Sequence, residues 1–76
     1  MNKDEFIENV RQQFVDAEEL TLTMDSQFRN FETYDSLTGM TIMVMLEDEY
    51  SVNISDSDFS SKKTVNDLYE YVLLNK

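Results

Sequence analysis

The sequence contains no histidine, cysteine, proline or tryptophan, and a single glycine in 76 residues. Without cysteine there is no disulfide framework, no zinc–thiolate site and no thiol nucleophile. Without histidine there is no Ser-His-Asp triad, and the commonest metal ligand and proton shuttle is missing. One glycine and no proline leave little of the turn chemistry that an all-β domain of many short strands uses. Positive charge is also scarce: six Lys and Arg stand against sixteen Asp and Glu, a net charge of −10. That charge repels phosphate backbones and anionic lipid, so neither nucleic acid nor membrane is expected as a partner. The longest apolar run, Ile42 to Leu46, is far too short to span a bilayer. No basic segment precedes an apolar stretch at the N-terminus, so no signal peptide is expected, and a cytoplasmic chain is the expectation.

What is present suffices for a core. The chain is 41% hydrophobic and 12% aromatic, unlike acidic chains that stay disordered. A chain of this length closes one core, so a single domain over residues 1–76 is expected. Phe6, Ile7, Val10, Phe14 and Ala17 recur in steps of three and four, which predicts a first amphipathic helix. Asn2 and Glu5 have capping-box spacing at its start. Val65, Leu68, Tyr69, Val72 and Leu73 form a similar stripe behind Thr64, with Asp67 three residues on as box partner.

The segment from Leu37 to Tyr50 differs. Ile42, Leu46 and Tyr50 make one helical stripe, while Leu37, Met40 and Val44 make a second on another side. A helix apolar on two sides is either buried on both or offers a docking surface. Thr38 and Thr41 interrupt the second stripe, which suggests a partly wet face. Between the first two helices lies a long connection, Glu18 to Asp35, which must be pinned or functional. Leu22, Phe28 and Phe31 are the expected pins. Leu20 to Met24 and Tyr50 to Ile54 alternate like short strands, but no hairpin turn residues bound them, so extended loop is expected. Ser55 to Phe59 reads as a capped single turn anchored by Phe59.

Sixteen acids invite a search for carboxylate chemistry. Glu47, Asp48 and Glu49 are adjacent on a helix and do not face one another as a glycosidase pair does. Asp56, Asp58, Ser60, Lys62, Thr64 and Asp67 fall on the ligand positions of an EF-hand loop. Ser61 stands where that loop needs Gly, Asp67 is short for the bidentate Glu, and Lys62 and Lys63 put positive charge inside the cage. No specific metal site is expected there. Asp35-Ser36-Leu37 sits where the long loop meets the two-sided helix. Asp35 or Ser36 can simply cap that helix. Ser36 has no base to activate it as a hydrolase nucleophile. At a helix N-terminus, however, free N–H groups and the positive dipole end would stabilise a phosphate added to Ser36.

In this order, Phe28, Asp35-Ser36-Leu37, an apolar helix ending Leu46-Glu47-Asp48-Glu49-Tyr50, Val52-x-Ile54 and Thr64-Val65-x-Asp67-Leu68 resemble an acyl carrier protein over nearly the whole chain. The resemblance implies an all-α, four-helix bundle with three longer helices, one short helix and a long first loop. It implies that Ser36, flanked by Asp35 and Leu37, bears 4′-phosphopantetheine, transferred from coenzyme A by a separate Mg²⁺-dependent phosphopantetheinyl transferase. Acyl groups would ride on the arm's thiol as thioesters. Leu37, Met40 and Val44 would meet partner enzymes, with Glu47 and Asp48 supplying contacts to their basic patches. Ile42, Leu46 and Tyr50 would face the core with Phe6, Val10, Phe14, Leu68 and Val72. Met43 and Met45 would line space for an acyl chain or fill the core. A monomeric, freestanding carrier with no catalytic activity of its own is implied.

The sequence departs from the family pattern in places. Glu32-Thr33-Tyr34 stands where many members have Leu-Gly-x. Thr38 and Thr41 stand where fatty-acid-synthesis members carry acids, and Gly39 lies early in the helix, at a cost of about 1 kcal/mol relative to Ala. A specialised pathway, in polyketide, lipid or surface-glycan modification, is therefore expected over housekeeping fatty-acid synthesis. An aminoacyl or peptidyl carrier with the same arm remains an alternative, as does an unmodified acidic module that binds a basic protein.

Overall fold

A computed structural model of the protein describes residues 2–76. Four α-helices follow in chain order: α1 (Lys3–Arg11), α2 (Ser36–Tyr50), α3 (Asp56–Ser61) and α4 (Val65–Asn75). Two single 3-10 turns, Ala17–Glu19 and Phe28–Asn30, punctuate the first loop. No strand forms among the described residues; Gln27 and Thr64 make one isolated antiparallel bridge. The all-α expectation holds, and residues 20–24 and 51–55 are loop, not strand.

The helix starts follow the local chemistry. Asn2 accepts a hydrogen bond from the Glu5 N–H at 3.0 Å, Ser55 caps α3, and Thr64 and Asp67 form a complete capping box on α4. At the other end of α2, Ser51 takes the left-handed conformation, with φ 57°. Its N–H donates to the Glu47 carbonyl and that of Val52 to the Leu46 carbonyl. A helix stop of this kind usually uses glycine; here it turns Val52 and Ile54 into the core.

α1 is shorter than its apolar stripe. It stops at Arg11, and the chain tightens into i→i+3 turns, Gln13 N–H to Val10 O and Phe14 N–H to Arg11 O. Two tertiary ties account for the early stop. The Arg11 guanidinium folds over to donate to the Ala17 carbonyl, and Asp16 accepts from the Thr33 hydroxyl at 2.8 Å. Phe14 is still buried, but from a turn; Ala17 lies outside α1 altogether.

α1 packs against α4 and α2. Phe6, Val10, Phe28, Ile42, Leu46, Val65, Leu68 and Val72 are fully enclosed in one apolar cluster. Tyr50 is half-buried beside Phe6 and accepts from the Asn9 amide at 2.8 Å. Met45 is buried and Met43 packs against the cluster. Leu73, which the α4 stripe placed inward, is 51% exposed. The buried stripe of α4, Val65, Leu68, Tyr69 and Val72, is therefore narrower than the spacing suggests.

The long loop is pinned as expected by Leu22 and Phe28, while Phe31 is half-buried edge-on to Phe14 at 5.8 Å. The loop also serves α4: the Met24 and Ser26 carbonyls accept from the Asn66 and Val65 N–H groups, at 2.8 and 3.0 Å. They satisfy donors that a helix N-terminus otherwise leaves open. α3, only six residues long, is held by Arg29. Its guanidinium donates to the Phe59 and Lys62 carbonyls and stacks on the Phe28 and Phe59 rings at 4.9 and 4.8 Å. Arg29→Met keeps the stem but removes the donors. It should speed amide exchange across residues 59–62 and cost about 1.5–3 kcal/mol, the range for hydrogen bonds that involve a charged group. Unchanged protection of α3 would show that the clasp holds nothing.

Candidate functional site

Asp35 and Ser36 stand at the junction of loop and α2. Asp35 is the N-cap in extended conformation, and its carboxylate accepts from the Thr38 N–H at 2.9 Å and the Thr38 hydroxyl at 3.0 Å. Those bonds, the backbone N–H first, hold its carboxyl below the usual carboxylate range. The free N–H groups expected at this helix end are thus partly spoken for by Asp35. Ser36 is the first residue of α2 and is exposed; no described residue hydrogen-bonds its hydroxyl. An unengaged primary alcohol on a rigid helix start can accept a bulky phosphoester without disturbing the core.

Leu37, Met40 and Val44 are 64%, 62% and 56% exposed. With the exposed Glu47 and Asp48 they run down one face of α2, at spacings of three, four, three and one. Together they leave an exposed apolar strip on a helix whose other side is buried. The acids begin only three turns from Ser36, roughly 16 Å along the axis at 1.5 Å per residue. From Ser36 to Leu46 the helix carries no charge at all.

The two threonines do not make that strip wet. Thr38 is buried, its hydroxyl spent on Asp35. Thr41 is half-buried and donates to the Thr38 carbonyl at 2.9 Å. Gly39 is also not an idle helix weakener. It is buried, and a Cβ there would lie 2.5 Å from the Tyr34 hydroxyl and 3.4 Å from the Phe59 ring. The glycine admits Tyr34, which packs at ring distances of 6.0 Å from Phe28 and 6.3 Å from Phe14. The Glu32-Thr33-Tyr34 turn needs no glycine, since the Tyr34 N–H closes it onto the Phe31 carbonyl at 3.0 Å.

Residues 56–61 form helix α3 and not a coordinating loop, and no group of three metal-ligating side chains occurs among the described residues. Sequence reasoning did not single out Gln12, Gln13 and Val15. With Asp35, Leu37 and Thr41 they border a groove of about 350 Å³ beside Ser36. The one available signal was Val15, an apolar residue out of register with the α1 stripe; it is 84% exposed.

Residues 5–72 match a family model described as "Phosphopantetheine attachment site". The chain is 33% identical over 55 residues to the acyl carrier protein of Onion yellows phytoplasma, covering 72% of each chain. It is 33% identical over 58 residues to that of Treponema pallidum, covering 76% of this chain and 74% of the relative. The acyl carrier protein of Exiguobacterium sibiricum is 28% identical over 75 residues, 95% of each chain. With four helices in this order and an exposed serine opening the second, the chain belongs to the acyl carrier protein family and bears a covalently attached 4′-phosphopantetheine.

Proposed function

We propose that Ser36 is the attachment point and that the 76 residues act as one carrier unit for a specialised pathway. The observation that carries the first part is the exposed, unengaged Ser36 hydroxyl on the first residue of α2. In the loading reaction the Ser36 oxygen attacks the β-phosphorus of coenzyme A. A new P–O bond forms, the pyrophosphate link breaks, and adenosine 3′,5′-bisphosphate leaves. The neighbouring carboxylate, Asp35, is engaged by the Thr38 N–H and hydroxyl, so the base for the Ser36 proton is assigned to the transferase. Asp35 keeps the helix start rigid through Thr38 and so presents the hydroxyl in one place. The attached group supplies a thiol that carries acyl groups as thioesters.

Docking falls to the α2 strip. Leu37, Met40 and Val44 offer apolar contact near the arm. Glu47 and Asp48 meet basic residues of the partner further along, giving fast, salt-sensitive encounters. The uncharged stretch from Ser36 to Leu46 supports the specialised reading. A partner that selects this carrier reads shape and apolar contact beside the arm, not paired charge.

Intact mass after incubation with coenzyme A, Mg²⁺ and a promiscuous phosphopantetheinyl transferase tests the assignment. One added arm is expected, and Ser36→Ala should take none. Absence of any gain, under conditions that modify a control carrier, would leave the unmodified acidic module as the reading. Loading by fatty-acyl against aminoacyl ligases then separates an acyl carrier from an aminoacyl or peptidyl one.

A further inference from the structure

An alkyl chain carried on the arm is driven out of water, by about fourfold for each methylene buried, and the core of the bundle is an apolar volume close at hand. We propose that Tyr34 bars that route, so that this carrier holds its cargo outside the bundle and takes short or polar acyl groups. This rests on attachment at Ser36. Three features carry it: where Tyr34 stands, what it packs with, and what guards the α3 side.

The first is position. Gly39 follows Ser36 by three residues and so shares its side of α2, but Ser36 is exposed and Gly39 is buried. The step inward from Ser36 therefore passes over Gly39. That position has no side chain of its own. The Tyr34 hydroxyl covers it, 2.5 Å from where a Cβ would stand, with the Phe59 ring at 3.4 Å. The second is continuity. The chain has five Phe and four Tyr, and five of those rings pack in succession. Phe31 meets Phe14, Phe14 meets Tyr34, Tyr34 meets Phe28 and Phe28 meets Phe59, at centroid distances of 5.8, 6.3, 6.0 and 5.8 Å. Tyr34 is the middle ring of a row that runs from the turn after α1, through the loop, to α3. Packed interiors leave few voids, so a chain enters here only by displacing a ring. The third is charge. The Arg29 guanidinium lies over the Phe28 and Phe59 rings at 4.9 and 4.8 Å and donates to the Phe59 and Lys62 carbonyls. An alkyl chain pushing between those two rings would have to strip a cation of its acceptors.

A chain kept out stays in water, and the penalty grows with every methylene it carries. Acyl groups of few carbons, or with hydroxyl, carboxyl or amino substituents, escape most of it. The specialised pathway proposed above is thereby one that handles such groups.

Acetyl-, butanoyl- and octanoyl-coenzyme A, each loaded by a promiscuous phosphopantetheinyl transferase, test the barrier. The three acylated forms of the natural sequence should melt at one temperature. Their methyl resonances at Ile42, Leu46 and Ile54, all buried, should coincide. A chain that enters the core binds only the folded state and stabilises it more the longer it is. A melting temperature that climbs from acetyl to octanoyl, with shifts at those core methyls, would therefore overturn the proposal. In Tyr34→Ala the octanoyl form should show that climb and those shifts, and the acetyl form neither. Tyr34→Leu keeps an apolar anchor and gives up the outer half of the ring; it should respond in the same direction and replaces the alanine variant if that one does not fold. A folded variant in which chain length still makes no difference would overturn the role of Tyr34. Intact mass on the same samples separates the two levels. An arm absent from Ser36 overturns the attachment and the barrier together; an arm present with its octanoyl chain in the natural core overturns the barrier alone.

Discussion

Truncating Phe28 to alanine should bring this protein to the edge of unfolding at room temperature. Phe28 is fully enclosed although it lies in the long loop, in a single 3-10 turn. Its ring meets Tyr34 at 6.0 Å and Phe59 at 5.8 Å and carries the Arg29 guanidinium at 4.9 Å. One side chain thus fastens three things: the loop itself, the turn leading into Asp35-Ser36, and α3. Removing a buried Phe costs about 3–5 kcal/mol. A core of this size rarely leaves more than about 3–5 kcal/mol in hand, so the cost consumes most of the margin. Urea titration followed by helical circular dichroism should place the midpoint near zero denaturant. Phe31→Ala, a ring only half-buried, should move the midpoint much less. Equal losses at the two positions would mean that burial in the loop is not what holds it.

The second large effect is electrostatic. Among the described residues one ion pair forms, Glu8 with Arg11 at 2.6 Å. Three of the other five bases are used elsewhere: Arg29 on backbone carbonyls, Lys3 over the Tyr69 ring and Lys62 over the Tyr71 ring. At a net charge of −10 the folded state therefore carries its own repulsion. Salt at about 0.5 M shrinks the screening length to roughly 4 Å and should raise the melting temperature by about 4–8 °C for each 1 kcal/mol relieved. Millimolar Mg²⁺ should act in the same direction. A flat response would mean that repulsion is not what limits stability.

Three acids tie stability to pH, all with the same sign. The Arg11 and Gln12 hydrogen bonds hold Glu8 at about 2. Backbone N–H groups, those of Thr38 and of Lys63 with Thr64, hold Asp35 and Asp67 below their usual values. A carboxyl depressed in the folded state contributes stability that is fully present above its unfolded pKa. That contribution is lost as pH falls through the folded value. Melting temperature should therefore fall as pH drops below about 4, where these carboxyls begin to take up protons in the unfolded chain. A melting temperature unchanged down to about pH 2 would show that the three carboxylates contribute nothing.

Much of this molecule was legible along the chain because its causes are local. Thr64 and Asp67 cap α4 through atoms three residues apart, and a capped 3.6-residue stripe needs no distant partner to be recognised. The two-sided character of α2 was equally visible. Ile42 and Leu46 point inward and Leu37, Met40 and Val44 outward, because their angular positions on a helix follow from spacing alone. The Asp35-Ser36-Leu37 site sat at a helix start for the same reason.

Where a stripe ends, and what covers it, is another matter. α1 stops at Arg11 because Arg11 reaches the Ala17 carbonyl and Asp16 meets Thr33 across the loop. Leu73 is half-exposed although its spacing puts it on the stripe. Gly39 looked like a weak link until Tyr34 was found against it, and Thr38 looked like a surface residue until Asp35 took its hydroxyl. Period, charge and capping chemistry along the chain determined the helices, the acidic surface and the exposed serine. Tertiary structure alone decided which side of that serine is open. The Tyr34 ring closes one flank of α2, while the early end of α1 leaves the groove by Val15 on the other. Both depend on contacts that reach across the chain, Tyr34 against Phe14 and Asp16 with Thr33, which no local spacing encodes.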